Sequence, residues 1–174
     1  GQITYSSKDF IISLERMNKL INFNKVDETI IVQSGMLLTQ IHNICDENDM
    51  LFPLSLASEG SCTIGGNLAT NAGGVGVLYY GNTRDLTLGL EVVLSDGSIV
   101  NLLKTLKKDN TGYSLKDLFV GSEGTLGIIT AASLKIFQKP KDKLTFLASA
   151  GSPKKSFRLS QNASKKYIYS SNFF

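Results

Sequence analysis

The stretch from Ser58 to Gly74, which reads SEGSCTIGGNLATNAGG, constrains this chain more than any other part of it. Five of the sixteen glycines fall in this block, and most of its other residues are small or polar. Glycine is used where a ligand or another backbone must come into van der Waals contact, or where φ must be positive. The whole chain is 42% hydrophobic, which is ordinary core-forming content. The block therefore indicates a local close approach of backbone, and not low-complexity sequence.

The positive charge of the chain is concentrated near its end. The net charge is +3, but Lys139 to Phe174 holds eight lysines or arginines and one acid, so residues 1–138 carry a net charge of −4. A nucleic-acid surface needs cations on a folded face with aromatic residues among them. A basic polar stretch at the end of a chain is more typical of a solvated tail. We therefore expect no nucleic-acid partner.

The compartment is indicated by three features. No run of eighteen apolar residues occurs, and the opening GQITYSSKDF lacks the basic flank and apolar centre of a signal peptide. Cys45 and Cys62 are too few for a disulfide framework and are expected to be small buried hydrophobes in a reducing compartment. We expect a cytoplasmic protein with no membrane insertion.

The chain offers no candidate catalytic residue and no candidate metal site. His42 is the single histidine and lies in a helical-looking segment without a nearby set of ligands. This placement favours a residue on a helix surface over a metal ligand or a general base.

Hydrophobic patterning predicts a mixed α+β domain with several antiparallel pairings. Asp96-Gly97 joins two β-rich runs and predicts a hairpin. The expected strands are Phe10–Leu14, Thr29–Gln33 and Ile128–Phe137, the first two joined by a polar connection, and the expected helices are Met36–Asn48 and Ser114–Phe119. Beyond Gly151 we expect a weakly structured tail, with a short helix at Phe157–Tyr167 as the alternative.

The glycine block has the composition of a cofactor cradle but not that of a common nucleotide motif. No GxxxxGK[ST] occurs, and no strand leads into a GxGxxG that opens a βαβ unit, which argues against P-loop and Rossmann sites. Amides and hydroxyls suited to phosphates and heterocycle edges are offered by Gly60, Ser61, Thr63, Gly65, Gly66, Thr70, Asn71, Gly73 and Gly74. If TIGGNLATNA begins a helix, Thr63 or Ser61 would cap it. A tight structural loop, with small residues for helix packing, stays open as the alternative.

A second block, GSEGTLGIIT from Gly121 to Thr130, couples glycines to the start of a β-rich run. By itself it predicts a turn that leads into a strand. Its informative member is Glu123, an acid between glycines that could contact a ribose or lie in solvent.

Three long segments in register resemble one family. They read PLSLASEGSCTIGGNLATNAGG, YYGNTRDLTLGLEVVLSDG and KKDNTGYSLKDLFVGSEGTLGIITAASLKIFQKP. In this order they resemble the FAD-binding domain of vanillyl-alcohol-oxidase-type flavoproteins, and most of all its D-2-hydroxy-acid branch. That branch includes glycolate oxidase flavin subunits, FAD-linked D-lactate dehydrogenases and D-2-hydroxyglutarate dehydrogenases. The resemblance implies an α+β fold, mainly the second subdomain of that domain, with an antiparallel or mixed sheet flanked by helices.

The resemblance also implies how the chain is divided. Residues 1–148 would form a partial FAD-binding domain whose first subdomain is largely missing, with Gly1 to Ile3 just after its glycine-rich loop. Residues 149–174 would be a basic, weakly structured tail or a vestige of the entry to a substrate domain.

By the same resemblance FAD is the implied cofactor, held largely by backbone groups. The residues implied along its length are Pro53, Leu54, Gly60, Ser61, Thr63, Ile64, Gly65, Gly66, Asn67, Thr70, Asn71, Gly73 and Gly74. Glu123, Gly124, Gly127, Ile128 and Ile129 would approach the ribose and adenine end. The resemblance extends to Tyr80, Gly81 and Arg84 without giving them a defined role, and Tyr80 also suits a core aromatic.

The implied function is the FAD-binding portion of a flavoenzyme that oxidises glycolate, D-lactate or D-2-hydroxyglutarate by hydride transfer to flavin N5. A non-catalytic remnant, or a split subunit that needs a separately encoded partner chain, is the first alternative. A flavoprotein like UDP-N-acetylenolpyruvoylglucosamine reductase is the second. Apolar surface left uncovered by a missing subdomain would also favour a homodimer.

Overall fold

The computed structural model describes residues 10–142 and 149–164, and within them it contains seven strands and six helices. The strands are β1 (Leu20–Asn24), β2 (Thr29–Gln33), β3 (Met50–Leu51), β4 (Thr87–Val93), β5 (Ile99–Asn101), β6 (Ile128–Lys135) and β7 (Phe137–Gln138). The helices are α1 (Leu38–Glu47), α2 (Ile64–Ala69), α3 (Val77–Tyr80), α4 (Thr83–Leu86), α5 (Lys116–Phe119) and α6 (Pro153–Ser164).

One antiparallel sheet organises the fold. Its five strands lie in the order β1-β2-β6-β4-β5, while β3 and β7 pair separately. The central strand β6 places Ala132 opposite Val32 of β2 and Leu90 of β4. Its six inner residues are all buried, so both faces of the central strand are covered. The α+β architecture expected from the sequence is confirmed.

The core lies between this sheet and α1 and α2. Helix α1 turns Leu38, Ile41 and Cys45 inwards, which is the 3.6-residue spacing of one helix face. The largest fully buried side chains are Ile30, Val32, Leu38, Ile41, Met50, Phe52, Ile64, Leu68, Leu86, Leu90, Leu134 and Ile136. Residues from the glycine block therefore take part in the same core as the sheet.

Most of the expected elements are confirmed. Strand β2 has the predicted bounds, and β4 and β5 form the predicted hairpin around Asp96-Gly97. Helices α1 and α5 and strand β6 lie within the segments predicted for them. The tail also forms a helix, α6, so the helical alternative is correct, although α6 begins four residues earlier than expected. Residues 165–174 lie outside the described part of the chain.

Two expectations at the start of the chain are wrong. Phe10 to Leu14 forms no strand, and Phe10 is 97% exposed. The supposed polar connection contains β1, which pairs with β2 through a short turn. That turn is fixed by Asn24, whose Oδ1 accepts the amides of Val26 at 2.9 Å and Asp27 at 3.0 Å. A hairpin to the nearest segment closes a shorter loop at a lower cost in entropy than pairing with residues 10–14.

In the part of the chain that the structure describes, no helix is long and apolar enough to cross a membrane.

Candidate functional site

The glycine block folds around the short helix α2. Thr63 is its N-cap, and its Oγ1 accepts the amide of Gly66 at 3.3 Å. This confirms the predicted cap. Ser61, the other candidate, instead donates its hydroxyl to the carbonyl of Ser58 at 3.3 Å.

The N-terminal end of α2 is bonded to the segment that follows β2. The amide of Ile64 donates to the carbonyl of Met36 at 2.9 Å, and the amide of Gly65 donates to the carbonyl of Ser34 at 2.8 Å. A Cβ on Gly65 would lie 2.7 Å from Cβ of Ser34 and 2.9 Å from its carbonyl oxygen. The helix can lie this close only because position 65 has no side chain.

The C-terminal end of α2 is bonded to the second glycine block. The amide of Gly121 donates to the carbonyl of Leu68 at 2.9 Å, and that of Glu123 donates to the carbonyl of Ala69 at 3.0 Å. Carbonyls in the last turn of a helix have no partner within the helix, so a second segment is well placed to bind them. Two blocks that lie about fifty residues apart in the sequence are thereby joined at one place.

The end of the first block lies against the segment from Pro53 to Ser55. The amide of Val75 donates to the carbonyl of Ser55 at 3.2 Å, and a Cβ on Gly74 would lie only 2.5 Å from that carbonyl oxygen. His42 of α1 fixes the same segment, because its Nε2 lies 2.8 Å from the carbonyl of Leu54, which can only accept a proton. His42 is half-buried and anchors backbone; the expected surface position is only partly correct.

Other glycines in the two blocks leave their backbone uncovered. A Cβ on Gly60 or Gly124 would meet no atom within 4 Å, and one on Gly66 or Gly73 would meet its nearest atom at 3.5 or 3.8 Å. The amides of Gly60, Gly73 and Gly124 donate to no atom among the described residues. Bare amides of this kind suit phosphate oxygens and the edges of a heterocycle.

Buried polar atoms where the two blocks meet also indicate a site for a polar ligand. Within the described chain, Oγ of Ser122 and Nε of Arg84 are buried and have no hydrogen-bond partner. Ser122 lies in the second block, and the guanidinium of Arg84 is bonded to the carbonyl of Val120 just before it. Because an unpaired buried polar atom is costly, a polar ligand here would find donors already in place. The residues present therefore fit a phosphate-bearing cofactor.

The two interpretations of the glycine block thus apply to different glycines. Gly65 and Gly74 serve packing, as the structural-loop alternative requires. Gly60, Gly66, Gly73 and Gly124 are open and suit a ligand, as the cradle interpretation requires.

The remaining predicted site residues differ in how far their side chains are buried. The side chains of Leu54, Ile64 and Ile129 lie in the core and are not available to a cofactor. Asn67 is 4% exposed and donates to Sγ of Cys62 at 3.5 Å. The segment of Gly127, Ile128 and Ile129 lies where β6 begins to pair with β4. Pro53, Ser61, Thr63, Thr70, Asn71 and Glu123 lie in or beside the segments joined through α2.

Sequence reasoning missed the residues that join these segments. Arg84 bonds to a carbonyl 36 positions away, and His42 to one 12 positions away. No local pattern carries such a signal. Tyr80, by contrast, packs on Phe137 with the ring centroids 4.9 Å apart, as a core aromatic would.

A cavity of about 240 Å³ adjoins the segment from Pro53 to Ser55 on the side that faces α1. It is lined by His42, Cys45, Asp46, Met50, Leu51, Phe52, Pro53, Ser55 and Glu59. Burial, with a smaller contribution from the charge of Asp46, raises the pKa of the Cys45 thiol to about 12. That thiol stays protonated at neutral pH.

Cys62 is also a free cysteine but is only half-buried, so the expectation of two buried thiols holds for Cys45 alone.

Comparison with known proteins identifies relatives of the chain. A family model described as FAD binding domain matches residues 1–103. The "D-2-hydroxyglutarate dehydrogenase, mitochondrial" of Rattus norvegicus is 49% identical over 144 residues, which are 82% of this chain and 27% of the relative. The D-2-hydroxyglutarate dehydrogenase of Xanthomonas citri pv. viticola is 45% identical over 140 residues, covering 80% of this chain and 30% of the relative. The chain therefore spans less than a third of these relatives.

Solved structures show the same fold. An alkyldihydroxyacetonephosphate synthase superposes with a TM-score of 0.64 at 28% identity, over 74% of this chain and 24% of that one. A Phl p 4 variant described as a glucose oxidase superposes with a TM-score of 0.60 at 19% identity, over 72% of this chain and 24% of that one, and supports the fold alone. The expected FAD-binding fold of the vanillyl-alcohol oxidase type is confirmed.

Adjacent glycines of α2 should respond oppositely to alanine. Gly65→Ala forces a methyl group against Ser34 and should lower the free energy of unfolding by about 1–3 kcal/mol. Gly66→Ala has room and should raise it by about 0.5 kcal/mol, because alanine is the better helix former. Urea unfolding of both variants without cofactor checks this. Equal effects of the two substitutions would contradict the docking of α2 on Ser34.

The two cysteines should differ in reactivity. At neutral pH a maleimide should label Cys62 in the folded protein, whereas Cys45 should react only after unfolding because it is 1% exposed and its thiol is protonated. Peptide mapping by mass spectrometry, with and without urea, distinguishes the two sites. Labelling of Cys45 at the rate of Cys62 in the folded state would show that the packing of α1 is wrong.

Proposed function

Because the chain belongs to the family of FAD-binding domains, whose model matches residues 1–103, we propose that it is the FAD-binding part of a flavoenzyme that oxidises a D-2-hydroxy acid. The observation that carries this proposal is the joining of two glycine blocks, with open amides on both, through α2. D-2-hydroxyglutarate is the favoured substrate, since relatives at 45% and 49% identity carry that dehydrogenase's name.

The residues of this chain would hold FAD mainly by backbone groups. We place the pyrophosphate and flavin side along the open amides of the first block, those of Gly60 and Gly73, with the exposed backbone of Gly66 beside them. The ribose and adenine end would lie toward Glu123 and Gly124. Recognition by backbone explains why small residues, and not charged side chains, fill the block.

The bound FAD would supply the redox chemistry, accepting at N5 the hydride that leaves C2 of the hydroxy acid. This chain's own part is to hold and orient the cofactor. His42 is engaged with the carbonyl of Leu54, and the described residues contain no group of three or more histidine, cysteine or acidic side chains suited to a metal ion. We propose that the groups which bind substrate and remove its hydroxyl proton belong to the remainder of a longer protein or to a partner chain.

The division of the chain and its partners follow from the same proposal. Residues 1–148 form the partial cofactor domain, and residues 149–174 form the tail or the entry to a substrate domain. Exposed apolar side chains at Leu115, Leu118 and Leu126 support a partner surface or a homodimer.

We propose a cytoplasmic location, which two free cysteines support. The rat relative's name places it in mitochondria, whereas the Xanthomonas relative's name gives no compartment. The relatives also favour the hydroxy-acid branch over the reductase-like alternative.

Cofactor binding is tested by titrating the protein with FAD and following flavin fluorescence anisotropy. Gly60→Val and Gly73→Val place side chains where the backbone is open and should weaken FAD binding about tenfold or more, because a ligand can no longer approach the amides. Gly151→Val, at an equally open position outside both blocks, is the matched control and should leave the affinity unchanged. A protein that ignores FAD, or equal losses in all three variants, would overturn the site.

The substrate class is tested with a chimera. Residues 10–142 of this chain replace the matching segment of the rat relative, and D-2-hydroxyglutarate, its L-enantiomer, D-lactate and glycolate are mixed anaerobically with the FAD-loaded chimera. Loss of visible flavin absorbance with D-2-hydroxyglutarate and not with the L-enantiomer is expected. A chimera that folds and retains FAD, yet is reduced by none of the four, would contradict the proposed function.

A further inference from the structure

We propose that Arg84 is a positioning residue that holds the end of the first glycine block in register with the start of the second, and thereby sets the affinity for FAD. This inference rests on the FAD-binding function proposed above. It concerns a residue whose backbone is bonded to the first block and whose side chain is bonded to the residue just before the second.

Arg84 is bonded to the first block and to the residue just before the second. Its backbone amide donates to Oδ1 of Asn71 at 3.0 Å, and its Nη2 donates to the carbonyl of Val120 at 2.6 Å. The second bond is charge-assisted, since the guanidinium carries a full positive charge, and such bonds are stronger than neutral ones. One residue thus connects segments that are 49 positions apart.

Gly121 packs closely against both Arg84 and Asn71. Gly121 has φ of +85°, and a Cβ there would lie 3.1 Å from Nη2 of Arg84 and 3.4 Å from Cβ of Asn71. Asn71 itself has φ of +48°, a conformation that asparagine tolerates better than most residues. The amide of Gly121 donates to Leu68 of α2, so the carbonyl held by Arg84 and the amide held by α2 belong to the same peptide unit.

The backbone around Arg84 is fixed by hydrogen bonds at the start of helix α4. Helix α4 begins with a capping box, in which Asn82 accepts the amide of Asp85 at 3.3 Å and Asp85 accepts the amide of Asn82 at 2.9 Å. Thr83 donates its hydroxyl to the carbonyl of Ala72 at 2.6 Å. These bonds fix the backbone from which the guanidinium reaches Val120, so the geometry is set before any ligand binds.

The experiment compares three variants in the full chain. Arg84→Gln removes the charged donor and should raise the dissociation constant for FAD about tenfold or more, the size expected for losing one charged hydrogen bond. Arg84→Lys keeps a charged donor and should give an intermediate affinity. Lys104→Gln also removes a charged donor, one that bonds to Asp109 at 2.6 Å outside both blocks, and should leave FAD affinity within about twofold of the wild type.

A second measurement needs no cofactor. Amide hydrogen exchange at Gly121 and Glu123 should be faster in Arg84→Gln than in the wild type, and unchanged in Lys104→Gln. If the wild type does not bind FAD, the proposed function fails, and the exchange rates still decide whether Arg84 holds the blocks together.

Two results would overturn the role of Arg84. One is an unchanged FAD affinity in Arg84→Gln while the wild type binds FAD. The other is an equal loss of FAD affinity in Lys104→Gln, which would reduce the effect to a general loss of positive charge or stability. If Arg84→Gln does not fold, Arg84→Lys carries the same comparison.

Discussion

The rest of the site depends on the backbone contacts that the two ends of α2 make with their neighbours. At one end Gly65 lies against Ser34, where no side chain could fit, and at the other the carbonyls of Leu68 and Ala69 bind the second glycine block. Removal of either contact would separate segments that the sheet alone does not bring together. Because the side chains of Ile64 and Leu68 are fully buried, the same helix also anchors the site to the core.

The division of glycines into packed and open positions explains how one block can serve both structure and binding. Gly65 and Gly74 bring backbone to within contact of Ser34 and Ser55, and so fix where the open positions lie. A cofactor held in this way is recognised by amides whose directions the fold has already set. Little ordering remains to be done when the ligand binds, which favours affinity.

Local features of the fold could be predicted from the sequence, whereas its long-range contacts could not. The strand Thr29–Gln33, the hairpin at Asp96-Gly97 and the cap at Thr63 each depend on residues a few positions apart, and each is confirmed. The strand expected at Phe10–Leu14 failed because β1 takes the place beside β2. The bond from Arg84 to Val120 joins distant positions whose residue types reveal nothing of each other. The family resemblance, and not local patterning, identified the cofactor.

The central claim is that open glycine amides of both blocks line one FAD site. Two-dimensional ¹H–¹⁵N NMR of the labelled protein, recorded as FAD is added, tests it most directly because glycine amides resonate in a separate region of the spectrum. We expect the signals of Gly60, Gly73 and Gly124 to shift together with one affinity, while those of Gly97, Gly112 and Gly151 stay in place. Shifts confined to one block, or spread equally over all six glycines, would contradict it.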